Sequence, residues 1–187
     1  MNTYPGRIIL LSGAFDAGKT TLLLMLLDEL ESSGLKVAGV ISPPILKDGE
    51  KVGIALRDLA TGFTRQLAVL RALAGDSAIS TKRWSFSTEG MADANRILAE
   101  ATPCDVLIID ELGPLEFEGQ AGWTNGLAAI DSGRYALAIC VVRPSLIAKA
   151  LQSWPQAQVI KVTRATQADV LAALRNLALG SDAIARD

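Results

Sequence analysis

The sequence predicts an α/β fold: a mostly parallel five-stranded core sheet flanked by helices, with an antiparallel β insertion. Three observations carry that expectation. Short aliphatic runs alternate along the chain with stretches of helical periodicity, the rhythm of βαβ units. Half of the 187 residues are hydrophobic and only 5% are aromatic, so Leu, Ile, Val and Ala fill the core, as parallel strands buried on both faces require. Residues 43–70 interrupt the rhythm with short runs separated by polar turns. A chain of this length is expected to form one domain spanning residues 1–187.

The elements follow in order. Ile8-Ile9-Leu10-Leu11 reads as a buried strand, and Thr20 to Leu30 as a helix stopped by Ser32-Ser33-Gly34. Lys36 to Ile41 is a second core strand, ended by Ser42-Pro43-Pro44. Polar turns at Lys47–Lys51 and Ala60-Thr61-Gly62 separate Val52–Leu56 from Phe63–Ala68, the pattern of antiparallel strands joined by tight turns. Arg71 to Lys82 reads as a loop centred on Gly75-Asp76-Ser77, and Arg83–Phe86 as one more short strand. Thr88 to Ala101 is a helix with Thr88 as its cap and Met91, Ala94, Ile97 and Leu98 on one face. Val106 to Ile109 is a strand running into Asp110-Glu111; a helix follows at Trp123–Ile130 and a buried strand at Tyr135–Val142. A helix at Ser145–Ser153, a last strand at Val159–Val162 and a last helix at Gln167–Leu179 complete the chain, with a frayed tail from Gly180.

Composition removes several function classes. The net charge is -2 and no basic block is present, which argues against a nucleic-acid surface. Cys104 and Cys140 lie in or beside apolar runs, and with no histidine a zinc site is not expected. The first seven residues lack the layout of a signal peptide, and Leu22–Leu27 is too short to span a bilayer. A soluble, cytoplasmic protein without membrane contact is the expectation.

The chemistry is carried by Gly13-Ala14-Phe15-Asp16-Ala17-Gly18-Lys19-Thr20, which fits the phosphate-binding pattern G-x-x-x-x-G-K-[ST] between a strand and a helix. A chance match in a chain this long is about a one-in-a-hundred event. Loop N–H groups and the free N–H groups of the helix start face an anion, Lys19 supplies a charge for the β- and γ-phosphates, and the Thr20 hydroxyl is a Mg²⁺ ligand. Gly13 through Gly18, with Lys19, Thr20 and Thr21, form the expected nucleotide-binding stretch. Asp16 reads as a solvent-facing turn residue, since Asp enters the left-handed region readily. Asp110 closes an aliphatic strand as a Walker B carboxylate does, completing the metal site with Thr20. Glu111, one residue further, is placed to orient water for attack on the γ-phosphate. NTPases that carry their own base usually hold one strand between the two motif strands, and Tyr135–Val142 is expected there.

Val106-Leu107-Ile108-Ile109-Asp110-Glu111-Leu112-Gly113-Pro114-Leu115-Glu116 resembles the I-D-E-I-G-P-M-E signature of the thermophile-type, or cancer-related, nucleoside-triphosphatase family. Val40-Ile41-Ser42-Pro43 and Gly53-Ile54-Ala55-Leu56-Arg57-Asp58-Leu59-Ala60-Thr61-Gly62 resemble its G-F-x-T-P and G-F-x-I-x-D-L-x-T-G segments. The resemblance runs from about Ile8 to Val162. It implies a RecA-like P-loop domain that hydrolyses ATP, GTP and other nucleoside triphosphates with Mg²⁺, with Lys19 and Thr20 on phosphate and metal, Asp110 on metal and Glu111 on water. The chain departs from the family in two places. Ala14-Phe15-Asp16-Ala17 stands where Pro-Pro-Gly-Val is usual, and Arg164 is followed by Ala165 and Thr166 rather than forming an Asn-Arg pair.

Several candidates keep two readings. Arg143, at a strand end, is either a cation for the γ-phosphate, joining Lys19 and Glu111 in catalysis, or a surface arginine. Glu116 is a second carboxylate near water, or a helix-start or solvated residue. Trp84, Trp123 and Trp154 stack a base or pack the structure. Two other functions compete with hydrolysis. A nucleotide or small-molecule kinase would need a lid, for which Val142–Val159 leaves little room. A nucleotide-dependent switch or assembly factor would meet a protein partner through residues 43–70.

Overall fold

The computed structural model describes residues 6–74, 79–80, 83–119 and 122–180. In chain order the strands are β1 (Arg7–Ser12), β2 (Val37–Ile41), β3 (Pro44–Lys47), β4 (Glu50–Asp58), β5 (Thr64–Leu70), β6 (Ile79–Ser80), β7 (Trp84–Phe86), β8 (Val106–Leu112), β9 (Leu137–Val142) and β10 (Gln158–Lys161). The helices are α1 (Lys19–Leu30), α2 (Thr88–Glu100), α3 (Pro114–Phe117), α4 (Thr124–Asp131), α5 (Ile147–Ser153) and α6 (Gln167–Leu179). All ten strands join one mixed sheet in the order β10-β1-β9-β8-β2-β4-β5-β7-β6, with β3 paired to β4.

The five strands from β10 to β2 are parallel. The aliphatic runs of β1, β2, β8 and β9 are continuous because both faces are buried, whereas the edge strand β10 leaves Gln158, Val159 and Lys161 exposed. On one face Ile8, Leu10, Leu107, Ile109 and Cys140 pack with α2, α4 and α5; on the other Ile9, Leu11, Ile108, Ile139 and Val141 pack with α1 and α6. Residue i and residue i+1 thus enter different cores, the period-two consequence of the pleat. Gly39 marks the seam with β8. Its φ is 109°, and a Cβ there would overlap the carbonyl oxygen of Ile108.

From β2 onward the sheet turns antiparallel, with Val40 opposite Asp58. Lys47 pairs with Glu50 across Asp48-Gly49, whose φ values of 53° and 81° match the tight hairpin turn that an Asp-Gly pair favours. The next turn is tied by Asp58, whose carboxylate accepts from the Ala60 N–H at 2.9 Å and the Thr61 hydroxyl at 2.6 Å. The antiparallel part reaches beyond residues 43–70, because β7 pairs with β5 and Ile79–Ser80 pairs with β7.

Other expectations need correction. The stretch 71–82 is not all loop: it opens with a 3-10 turn at Arg71–Leu73 and contains β6, while Gly75-Asp76-Ser77 lies outside the described residues. The cap of α2 is Ser87, whose extended backbone lets its Oγ accept from the Gly90 N–H at 3.1 Å; Thr88 is already helical. The Gly-Pro stretch after β8 forms α3, with Pro114 in its first turn. Helix α6 ends on Gly180 at φ 69°, and the rest of the tail lies outside the described residues.

Candidate functional site

The site lies at the C-terminal ends of the parallel strands, where open α/β sheets place ligands. The segment after β1 turns through Asp16 at φ 61° and Gly18 at φ 79° before α1 begins at Lys19. Asp16 is exposed and left-handed, as expected of a turn residue there. The Lys19 ammonium folds back over the loop and donates to the carbonyl oxygens of Gly13 and Ala14, both at 3.0 Å. Ala14 also accepts from the Ala17 N–H at 3.2 Å. From the far end of the chain, Gln167 Nε2 donates to the Ala17 carbonyl at 2.8 Å, holding the loop against α6. Nothing in the local sequence marks Gln167, since its role depends on β10 lying beside β1.

Strand β9 stands between β1 and β8. It sets the Walker B strand one position away from the phosphate loop and delivers Arg143 between them. Thr20 Oγ1 donates to Asp110 Oδ2 at 2.8 Å, and the Ser42 N–H reaches the same oxygen at 3.4 Å. Asp110 is 4% exposed, and burial pushes its carboxyl up to about 6, against the opposing pull of the Thr20 hydrogen bond. A carboxylate held at that cost, beside a hydroxyl, is a hard oxygen donor set that a divalent cation would stabilise. The Asp110–Glu111 peptide is cis.

Glu111 and Arg143 meet. Arg143 Nε donates to Glu111 Oε1 at 2.6 Å, with the two side chains 52% and 31% exposed. That exposure screens the pair, so its value is geometric rather than energetic. Of its readings, Glu116 takes the helix-start role and is not solvated. It is 7% exposed and accepts from the Gly113 and Trp123 N–H groups, each at 2.8 Å, so it fixes the turn into α3. Burial pushes its pKa up, with the two backbone donors opposing.

Phe15, Asp16, Gly18, Lys19, Thr20 and Thr21 share a cavity of about 380 Å³ with Asp110, Glu111 and Arg143. Gly13, Ala14 and Ala17 take part through backbone groups behind that wall. The structure thus brings together every candidate around the phosphate loop and the acidic pair. Two of the tryptophans, Trp84 and Trp123, also line the cavity, and the Arg83 guanidinium lies over both Trp84 and Phe15 of the loop, 5.3 Å and 5.4 Å from the ring centroids. Trp154 does not: it is 3% exposed, donates to Asp131 at 2.7 Å and packs edge-on against Phe117. Sequence reasoning missed Lys51 and Met91 as cavity residues, because their arrival here depends on β4 and α2 folding over the ends of the parallel strands. Cys104 and Cys140 are buried free thiols, Cys104 pushed up to about 11 by burial, in keeping with a core role. Among the described residues no helix is long and apolar enough to cross a membrane.

A protein-family model described as NTPase matches residues 8–174. The chain is similar to "Nucleoside-triphosphatase THEP1" of Thermofilum pendens, at 32% identity over 73% of this chain and 74% of that protein. It is similar at 30% identity to the protein of the same name from Methanosarcina acetivorans, over 70% of this chain and 74% of the relative. Among solved structures, a human cancer-related nucleoside triphosphatase superposes with TM-score 0.68 at 18% identity, covering 97% of this chain and all of the other. THEP1 from Aquifex aeolicus superposes with TM-score 0.65 at 16% identity, covering 89% of this chain and 96% of the other.

Proposed function

The chain belongs to the NTPase family, and from that premise we propose that it hydrolyses ATP, GTP and other nucleoside triphosphates to the diphosphate and inorganic phosphate. The observation that carries the reading is the convergence of Lys19, Thr20, Asp110 and Glu111 on one cavity, with β9 between the two motif strands. Loop N–H groups and the start of α1 hold the phosphates, and Lys19 leaves its carbonyl partners for the β- and γ-oxygens. Glu111 orients a water in line with the γ-phosphate and takes its proton as the bond to phosphorus forms. Arg143 plays a double part: it aims the Glu111 carboxylate and adds positive charge on the side where the γ-oxygens gather it. Thr20 and Asp110 would hold Mg²⁺, which when bound neutralises charge on the β- and γ-oxygens. Asp16 and Thr21 complete the rim of the nucleotide site.

The test is phosphate release from ATP, GTP, CTP and UTP with Mg²⁺, by the parent and by Glu111→Gln. Release in the parent without any acceptor, falling about a thousandfold in the variant while nucleotide still binds, is the expected result. Tight binding with no release from the parent would overturn it.

A second reading, a switch whose partner docks on residues 43–70, is favoured by exposed Leu46 and Phe63 there, at 60% and 39%. Nucleotide-dependent capture of a protein, lost in Leu46→Ser, would support it.

A further inference from the structure

The cavity does not end at the phosphate loop. It continues beneath the antiparallel half, where Ile54, Leu67, Trp84, Phe86, Met91 and Trp123 form its wall. Hydrolysis has no use for that wall: a terminal phosphate and an attacking water bring no apolar surface to bury against it. Lys51, on β4, lines the same space with its Nζ 5.2 Å from the centroid of the Trp84 ring. The Arg83 guanidinium lies 5.3 Å from that ring as well. Among the described residues no carboxylate stands within ion-pair distance of Lys51. Burial, and then Arg83, depress the Lys51 pKa, against the weaker opposing pull of Asp110, Asp16 and Glu111. Two further groups on the lining residues are buried without a hydrogen-bond partner among the described residues, Trp123 Nε1 and Ser42 Oγ, and Trp123 is 4% exposed.

We propose that this chamber is a second ligand site, for a planar organic anion whose ring lies against Trp84, Phe86 and Met91 and whose acid group meets Lys51. The proposal rests on the reading of Gly13–Thr21 as the nucleotide site, because the two ligands must fit together. They do so by position. The terminal phosphate belongs where Lys19, Thr20 and Glu111 converge, so the nucleoside lies at the other end of the triphosphate, away from the chamber. Attack on the γ-phosphate comes in line, from the Glu111 side, and Glu111 lines the same cavity as the chamber wall. An occupant would therefore stand beside the attacking water. The whole cavity, phosphate site included, measures about 380 Å³, within the range of small-molecule sites. Trp123 Nε1 would donate to a polar atom of the ligand.

The probe is 2-naphthoate, with neutral 2-naphthamide as its comparator, each titrated with and without Mg²⁺ and the β,γ-imido analogue of ATP. Quenching of tryptophan emission should saturate at about millimolar naphthoate or below, with the analogue bound at the same time. Naphthoate should slow phosphate release without raising the KM for ATP. The amide should bind about tenfold more weakly, and Lys51→Met should weaken naphthoate by a similar factor while the analogue still binds. Competition between naphthoate and the analogue, equal binding of acid and amide, equal binding by parent and Lys51→Met, or no saturation would each overturn the proposal. The amide comparison needs no variant and so stands even if Lys51→Met fails to fold. A chain that binds naphthoate beside the analogue yet releases no phosphate would sink the hydrolase reading and leave the chamber standing.

Discussion

The two halves of the sheet are held by different means. In the parallel half the inner strands β1, β9, β8 and β2 are covered on both faces, and Leu10, Leu11, Leu107, Ile108 and Ile109 are 0% exposed, while Val159 on the edge strand β10 is 40% exposed. In the antiparallel half α2 covers one face, so Leu56 and Leu67 are buried while Leu46 on β3 is 60% exposed. Stability therefore concentrates in the parallel half, and so does the machinery of phosphate binding, which uses strand ends and a helix start rather than side-chain variety. The antiparallel half adds a wall, a roof and two cations over that machinery. A rigid, doubly covered half positions the chemistry, and a thinner half shapes the space beside it.

Five substitutions sharpen or break this comparison, taken from the largest effect down with Leu46→Ala as the control for Leu107→Ala. Asp110→Asn should cut phosphate release by about a hundredfold or more, since several kcal/mol of charge stabilisation depends on that carboxylate. It should at the same time raise the melting temperature of the metal-free protein near neutral pH, because the buried carboxylate carries an uncompensated desolvation cost. A lower melting temperature would show that the Thr20 and Ser42 hydrogen bonds outweigh that cost.

Leu107→Ala should cost about 3 kcal/mol, the usual penalty for a cavity in a closed core, whereas Leu46→Ala should stay within about 0.5 kcal/mol. Denaturant unfolding of both variants decides it. A loss of more than about 1 kcal/mol at Leu46 would mean that the open face is covered in solution, and the contrast between the halves would fail.

Gly39→Ala acts at the seam, where β2 pairs in parallel with β8 and antiparallel with β4. A Cβ at φ 109°, overlapping the Ile108 carbonyl, should cost about 2 kcal/mol. Independent folding of the halves would appear as a second unfolding transition; a single transition at lower denaturant is expected.

Apart from the Leu46 control, the smallest effect should come from Tyr135→Phe, through loss of the 2.7 Å hydrogen bond from its hydroxyl to the Ile130 carbonyl, about 1 kcal/mol. Burial, and then Asp131, push the Tyr135 hydroxyl up to about 12. The folded protein holds that proton after the unfolded chain has released its own, so the contribution is complete below about pH 10 and is lost as the pH rises through about 12. Thermal melts from pH 9 to 12 should therefore converge for parent and variant at the alkaline end.

Much of the site was legible because its parts are local. Gly13–Thr20 needs only a strand before it and a helix after it, and Asp110-Glu111 needs only an aliphatic strand to end on. The limits of α6 were legible as well, since Thr166-Gln167 opens and Gly180 closes a clear periodic stretch. The α2 cap was misplaced by one residue because Ser87 and Thr88 both qualify by type, and only backbone angles separate them. Glu116 was open between two roles because its donors come from Gly113 and from Trp123 across a turn.

By itself the sequence determined the α/β class, the phosphate loop and the acidic pair, all written in short-range patterns of residue type and spacing. Only the tertiary structure decided which strand neighbours which. That order brings Gln167 to the loop, Arg143 to Glu111, and Lys51 with Trp84 and Trp123 to one cavity. Such meetings join residues up to 150 positions apart, as Gln167 and Ala17 are. They follow from the collective burial of apolar faces, which no local window of the chain encodes.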